Sequence, residues 1–278
     1  MSRVIRSNTK TANNEIMRCT VLASGSKGNC TVIEGSSGAI LIDAGLSARE
    51  LLVRMAVAGI NPDSVEAVLV THEHGDHVKG LDVTARKFDI PVYATEGTLN
   101  EFLNNRRTSS KPIGHHTCRC GEDFSIGDFS IAPFATSHDA AEPCGFVIRE
   151  GDCCIGYCTD TGIMTEAMHG LLARCDGLVL ESNHCPDMLE NGPYPEYLKR
   201  RIRSKRGHLS NPAAAECLHG FGRDAPLVIL AHLSEVNNTP EKAKGTARDG
   251  LGLFFAEERV VVATQCGTGA GCPEEIRL

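Results

Sequence analysis

Residues 68–80 read VLVTHEHGDHVKG and place His72, His74, Asp76 and His77 within six positions. In extended chain, side chains two apart point the same way, so the imidazoles of His72 and His74 can share one ion. Asp76 and His77 fall where the chain should turn toward a helix, and their side chains diverge from the first pair. The economical arrangement is two ions, with His72 and His74 on one and Asp76 and His77 on the other. Imidazole and carboxylate donors point to Zn2+, Mn2+ or iron and not to a structural thiolate site.

Four side chains cannot complete two coordination shells, so further ligands must come from elsewhere. His138 in ATSHDAAEP, Asp160 in YCTDTG and His232 in VILAHLSEVNN each follow an apolar run. Such positions read as strand ends that converge on one edge. A two-cation centre can open a β-lactam, a thioester, a lactone or a phosphodiester, and the ligands alone do not choose among them.

The choice rests on LKRRIRSKRGHLSN, where six of residues 199–206 are Lys or Arg in a chain of net charge −7. The alternative is a solvated helix face. Arg200, Arg201 and Arg203 on such a helix, with His208 and Ser210 just beyond, would make a phosphate clamp. Arg106, Arg107 and Lys111 extend the same track. His184 in ESNHC is a candidate substrate contact or supporting residue. Asp43 in LIDAG is expected to brace the ligand loops from behind, and SGSKGN (24–29) either to shape one wall of the site or to be only a hairpin turn. His115, His116, His169 and His219 are read as surface or core residues.

The elements that must carry these residues can be read from apolar runs and turn signals. CTVLAS, CTVIEG and GAILIDAG read as strands, and SARELLVRMAVAG as a helix capped at Gly59. Then come the strand VEAVLVTH, the helix KGLDVTARKF, the strand IPVYAT and the helix LNEFLNN. EDFSIGDFSIAPF reads as a hairpin turning at Gly127 and Asp128, followed by the strands GFVIR, CCIGYCTD and DGLVLES. Helices are expected from about Pro195, over NPAAAECLHGFG and over TPEKAKGTARDGL, and strands at PLVILAHLS and RVVVATQ. Two sheets with helices on their outer faces account for this order. Residues 1–16 are read as a disordered tail, 17–265 as one domain and 266–278 as a loose C-terminal tail.

Composition narrows the class. The 278 residues are 41% hydrophobic and 23% charged, as in a soluble globular protein. There is no Trp and aromatics are 5%, so no large base-stacking platform is expected. The polar N-terminal stretch lacks a signal-peptide core, no apolar run is long enough to span a membrane, and the 13 cysteines are read as reduced thiols in the cytoplasm. The groupings Cys118/Cys120 and Cys153/Cys154/Cys158 lack zinc-ribbon spacing.

Taken together, His72-x-His74-x-Asp76-His77, His138, Asp160 and His232 resemble the metallo-β-lactamase fold signature. The resemblance covers about residues 17–265 and implies a four-layer αβ/βα sandwich with a dimetal site at one edge of the sheets. LASGSKGNC, THEHGDHVKG, TSHDAAEPCGF, TDTG, ESNHC, GPYPEYLKRRIRSKRGHLSN and AHLSEVNN resemble the YycJ/WalJ group of bacterial cytoplasmic nucleases, which lack the β-CASP insert. The resemblance implies that His72, His74 and His138 hold one divalent ion, Zn2+ or Mn2+, and that Asp76, His77 and His232 hold the other. Asp160 would bridge them, and Asp76 would also orient the attacking water. The Gly207-His208-x-Ser210 element is similar to one that contacts substrate phosphate in β-CASP enzymes. The activity implied is a 5′→3′ exonuclease on nucleic acid, DNA rather than RNA, in DNA repair or maintenance. This chain has Cys185 where the family carries Asp, with Asp187 close by. The alternatives are a thioester or lactone hydrolase of the same fold, and a non-catalytic nucleic-acid-binding or regulatory protein.

Overall fold

The computed structural model describes residues 4–6, 17–106, 111–221, 226–252, 259–263, 265 and 274–278. In chain order the first part holds β1 (Val4–Arg6), β2 (Arg18–Ala23), β3 (Cys30–Glu34), β4 (Ala39–Ile42), α1 (Ala48–Ala58), β5 (Val65–Leu69), α2 (Gly75–Val78), α3 (Leu81–Phe88), β6 (Val92–Thr95), α4 (Glu96–Asn105) and β7 (His115–Cys118). The second holds β8 (Phe124–Ile126), β9 (Phe129–Ala135), β10 (Cys144–Glu150), β11 (Cys153–Cys158), α5 (Glu166–Leu172), β12 (Gly177–Glu181), α6 (Pro186–Asn191), α7 (Glu196–Arg203), α8 (Asn211–His219), β13 (Leu227–Ala231), α9 (Pro240–Leu251), β14 (Val260–Val262) and β15 (Glu274–Arg277). One sheet runs β1-β15-β2-β3-β4-β5-β6-β7 and the other β14-β13-β12-β11-β10-β9-β8.

Strands β4 and β13 are apolar at every position because both their faces are buried. Ile40, Ile42 and Leu69 of the first sheet meet Phe146, Ile155, Val179 and Ile229 of the second in one core between the sheets. The alternate residues face outward. Leu41 and Val68 pack under Leu51 and Met55 of α1 and Leu81 of α3, while Leu180 and Leu230 pack under Leu172 of α5, Leu218 of α8 and Ala247 of α9. Three cores therefore separate four layers, helix–sheet–sheet–helix, as expected from the order of elements. The local signals behave as read: Gly59 closes α1 at φ 70°, and Gly127 takes φ 52° in the β8–β9 hairpin.

The C-terminal expectation does not hold for Glu274–Arg277. This strand pairs antiparallel with β2 and parallel with β1, and Ile276 is fully buried between the sheets. It covers an edge that β2 would otherwise leave unpaired. A lone Ile among charged residues carries too little periodicity to announce a strand. The same pairing draws Val4–Arg6, expected in a disordered tail, into the sheet. Strand β7 and the short helices α5 and α6 were also not anticipated.

Candidate dimetal centre

The site is built where the strands of both sheets end. Asp43 follows β4, Asp160 lies two residues past β11 and His232 follows β13, and all three adopt left-handed backbone, with φ of 60°, 55° and 57°. Only Asp89 shares this feature among the described non-glycine residues. Left-handed residues other than Gly cost on the order of 1–3 kcal/mol and persist where the surroundings over-determine them. Here the strain turns each side chain into the common edge.

The loop after β5 is fixed by backbone contacts. Asn29 N donates to the Asp76 carbonyl (2.7 Å), Ala44 N to that of His77 (2.8 Å) and Gly80 N to that of Ala44 (2.8 Å). Gly45 has to be Gly, because a Cβ there would sit 1.7 Å from the Asp76 carbonyl oxygen.

The structure brings all seven anticipated ligand residues together. Donor atoms of His72, His74 and His138 lie within 4.8 Å of one another, as do those of Asp76, His77 and His232. Asp160 falls in a group with His72 and His77 and in another with Glu181, His208 and His232, so it stands between the two trios. Four imidazoles have their Nδ1 committed away from the centre. His77 Nδ1 donates to Asp43 Oδ2 (2.7 Å), His232 Nδ1 to Glu181 Oε1 (3.0 Å) and His138 Nδ1 to the Gly207 carbonyl (2.9 Å). His72 Nδ1 donates to Thr71 Oγ1 (3.0 Å), whose own proton goes to Asp43 (2.9 Å). The opposite nitrogens of these rings are left as lone pairs. His72 Nε2, His232 Nε2 and Asp160 Oδ2 are buried with no hydrogen-bond partner. Buried polar atoms without partners are costly, and a cradle of such atoms fits divalent cations held by nitrogen and oxygen donors.

The electrostatics divide the trios. Burial pushes His72 and His138 below the ordinary imidazole range, His72 strongly. Burial also opposes charge on His77, but Asp43, Asp160 and Asp76 outweigh it and raise His77 to about 10. His232 is likewise raised well above its ordinary value against burial, by Asp160, Asp76 and Glu181. Burial disfavours the Asp76 carboxylate, yet His232 and His77 hold it far below the usual carboxylate range.

Glu181 was missed in the sequence. It is fully buried at the end of β12 and accepts four hydrogen bonds: from His208 Nδ1 (2.8 Å), His232 Nδ1 (3.0 Å), Thr161 N (2.9 Å) and Leu209 N (3.0 Å). Its signal was present, since it closes the apolar run GLVLE as Asp160 and His232 close theirs. His208 also lies 3.6 Å from Asp160 Oδ1, within the centre.

A cleft of about 230 Å³ opens above these residues, walled by Ser26, Tyr194, Leu198, Arg201, His208 and Leu233 among others. Of the anticipated substrate contacts, Arg201 and His208 reach it. Arg200 is exposed, and Arg203 pairs with Glu190 and with Glu196 (2.8 Å). Ser210 caps α8 by accepting from Ala213 N (3.3 Å). His184 is buried behind the cleft, its Nδ1 without a partner, and burial lowers it to about 4. Cys185 precedes α6 with extended backbone and makes no side-chain cap. Arg106 is bound to Asp82 (2.7 Å) away from the cleft, and Arg107 lies outside the described residues. Ser26 of the SGSKGN turn lines the cleft, and Asp43 accepts from Thr71 N and His77 Nδ1 in the loop after β5.

Residues 39–233 match the beta-lactamase superfamily domain. The chain is 40% identical to the exodeoxyribonuclease YycJ of Bacillus anthracis, over 81% of this chain and 85% of that protein. It is 36% identical to the exodeoxyribonuclease WalJ of Streptococcus pneumoniae, over the same shares. Its backbone resembles the metallo-β-lactamase fold protein YhfI of Bacillus subtilis at a TM-score of 0.69 and 15% identity, over 94% of this chain and 99% of that one. A four-layer sandwich whose strand ends gather two ligand trios around one aspartate, in a chain this close to YycJ and WalJ, belongs to the metallo-β-lactamase fold hydrolases and to the YycJ/WalJ family within them.

Proposed function

We propose that the protein is a two-metal phosphodiesterase that degrades DNA from an end, with 5′→3′ polarity, in cytoplasmic DNA repair or maintenance. His72, His74 and His138 would hold one cation and Asp76, His77 and His232 the other, with Asp160 between them. Two ions such as Zn2+ or Mn2+ would supply an activated water and neutralise charge on the phosphate. The residues of the chain do the rest. Asp76 keeps a partly accessible carboxylate at the centre, ionised by its histidine neighbours, and orients the attacking water. His208, with Nδ1 held by Glu181, stands at the cleft and passes a proton to the leaving oxygen.

The observation that carries this reading is the Glu181–His208 pair beside Asp160. An imidazole oriented in this way supports proton donation to a poor alkoxide leaving group. Arg201 in the same cleft supplies positive charge for the phosphate chain, and the two named relatives are exodeoxyribonucleases. The test is digestion of end-labelled single- and double-stranded DNA and RNA after reconstitution with Zn2+ or Mn2+. Mononucleotides released progressively from the 5′ end of DNA are expected. Absence of cleavage with either metal sinks the proposal.

A further inference from the structure

Within the six-cation stretch, one side chain is singled out by its surroundings. Arg201 reaches out of α7 to Asp139, donating from Nε to Oδ2 (2.5 Å) and from Nη2 to Oδ1 (3.1 Å). Asp139 Oδ1 is in turn 3.4 Å from Nε2 of His138, the nitrogen that faces the centre. The fork is taken along its Nε–Nη2 side. The guanidinium has five N–H donors in a fixed plane, so its Nη1 end and one Nη2 proton remain for another partner. Both residues line the cleft, and the Arg201 side chain is 52% exposed. Arg203, two residues on, is spent on Glu190 and Glu196.

We propose that Asp139 is a positioning residue that presets Arg201, so that its free edge clamps a substrate phosphate at the mouth of the dimetal cleft, next to the one being cleaved. An acidic side chain would then strengthen binding of a polyanion. Arg carries about 2 kcal/mol of rotamer entropy that a free side chain gives up on binding, and Asp139 removes that cost beforehand. The inference rests on the nuclease reading and adds a residue to it.

The experiment measures KM, kcat and their salt dependence on a labelled single-stranded oligonucleotide, with full-length, metal-loaded protein. Wild type is compared with Asp139→Asn, Arg201→Ala, Arg201→Lys and the double variant Asp139→Asn/Arg201→Ala. Arg201→Ala is expected to raise KM about tenfold, the loss of one charge-assisted fork, and to flatten the salt slope by about one. Arg201→Lys should lie nearer Ala than wild type, since an ammonium cannot hold both partners in a plane. Asp139→Asn should raise KM about threefold or more with kcat within about twofold, and add nothing on the Arg201→Ala background. A lower KM in Asp139→Asn overturns the proposal, because the carboxylate then competes with substrate. So do effects that multiply in the double variant, or loss of bound metal from Asp139→Asn by elemental analysis. A wild type that cleaves no nucleic acid removes the nuclease reading itself, and the proposal with it.

Discussion

Asp43 Oδ2 lies 2.7 Å from Nδ1 of His77, and both side chains are fully buried. The carboxylate can only accept, so it fixes the proton on Nδ1 and leaves Nε2 to the metal centre.

Asp43→Asn is expected to weaken the ion of His77, which Asp43 touches directly, more than that of His72, which it reaches only through Thr71. An amide nitrogen facing His77 reverses the tautomer and turns a hydrogen toward the centre. Supporting partners of this kind are worth about 10–100-fold in metal affinity. Calorimetric titration of the metal-free variant should show one of the two ions weakened by that factor and the other by less. Equal weakening of both ions contradicts this assignment.

Glu181→Gln should cost more than its near-identical shape suggests. Both carboxylate oxygens are filled, each by two donors. A glutamine must present an NH2 to two of them, leaving buried N–H groups unpaired at about 1–3 kcal/mol. The variant should fall by that amount in denaturant unfolding and lose activity by about 10–100-fold. If its kcat matches wild type, Glu181 does not position His208.

Cys185→Asp should stabilise. The backbone at Cys185 has the extended geometry of a helix N-cap, φ −80° and ψ 124°, with Pro186 in the first turn of α6, but no side chain accepts from that turn. Aspartate supplies the missing acceptor for about 0.5–2 kcal/mol. A thermal melt should show an upward shift, and no shift would mean that α6 begins elsewhere.

His184 shapes the acid limb. Burial lowers it from 6.5 to about 4, so the folded state binds fewer protons there than the unfolded state. Its contribution is therefore complete above about pH 6.5 and is lost as pH falls toward 4. His184→Asn should flatten the decline in unfolding free energy across that window. An unchanged slope would show that other groups set acid sensitivity.

The fold was legible because its central strands are apolar on both faces and its helices carry local caps, signals that survive in isolated segments. The seven candidate ligand residues that the structure brings together were legible because a His, Asp or second His closing an apolar run is conspicuous. Glu181 closes such a run as well, but a single Glu at a strand end has the appearance of a solvent boundary. Its role comes from four donors scattered over residues 161–232. The reach of the basic stretch was legible only in part: Arg201 enters the cleft while Arg203 turns to Glu190, a choice made by the neighbours and not by the charge run. Strand β15 rests on one Ile and on the edge it covers, which no local pattern reveals.

The loop bearing Asp76 and His77 is held by backbone bonds from residues 29, 44 and 80, and a glycine at 45 lets the chains touch. None of these contacts involves a cation. The loop is therefore expected to keep its shape whether or not cations are bound. Chelation should strip its ions and leave far-ultraviolet circular dichroism intact. Ions should enter and leave a standing structure, and the occupant at any moment should follow the cell's own supply of divalent metal.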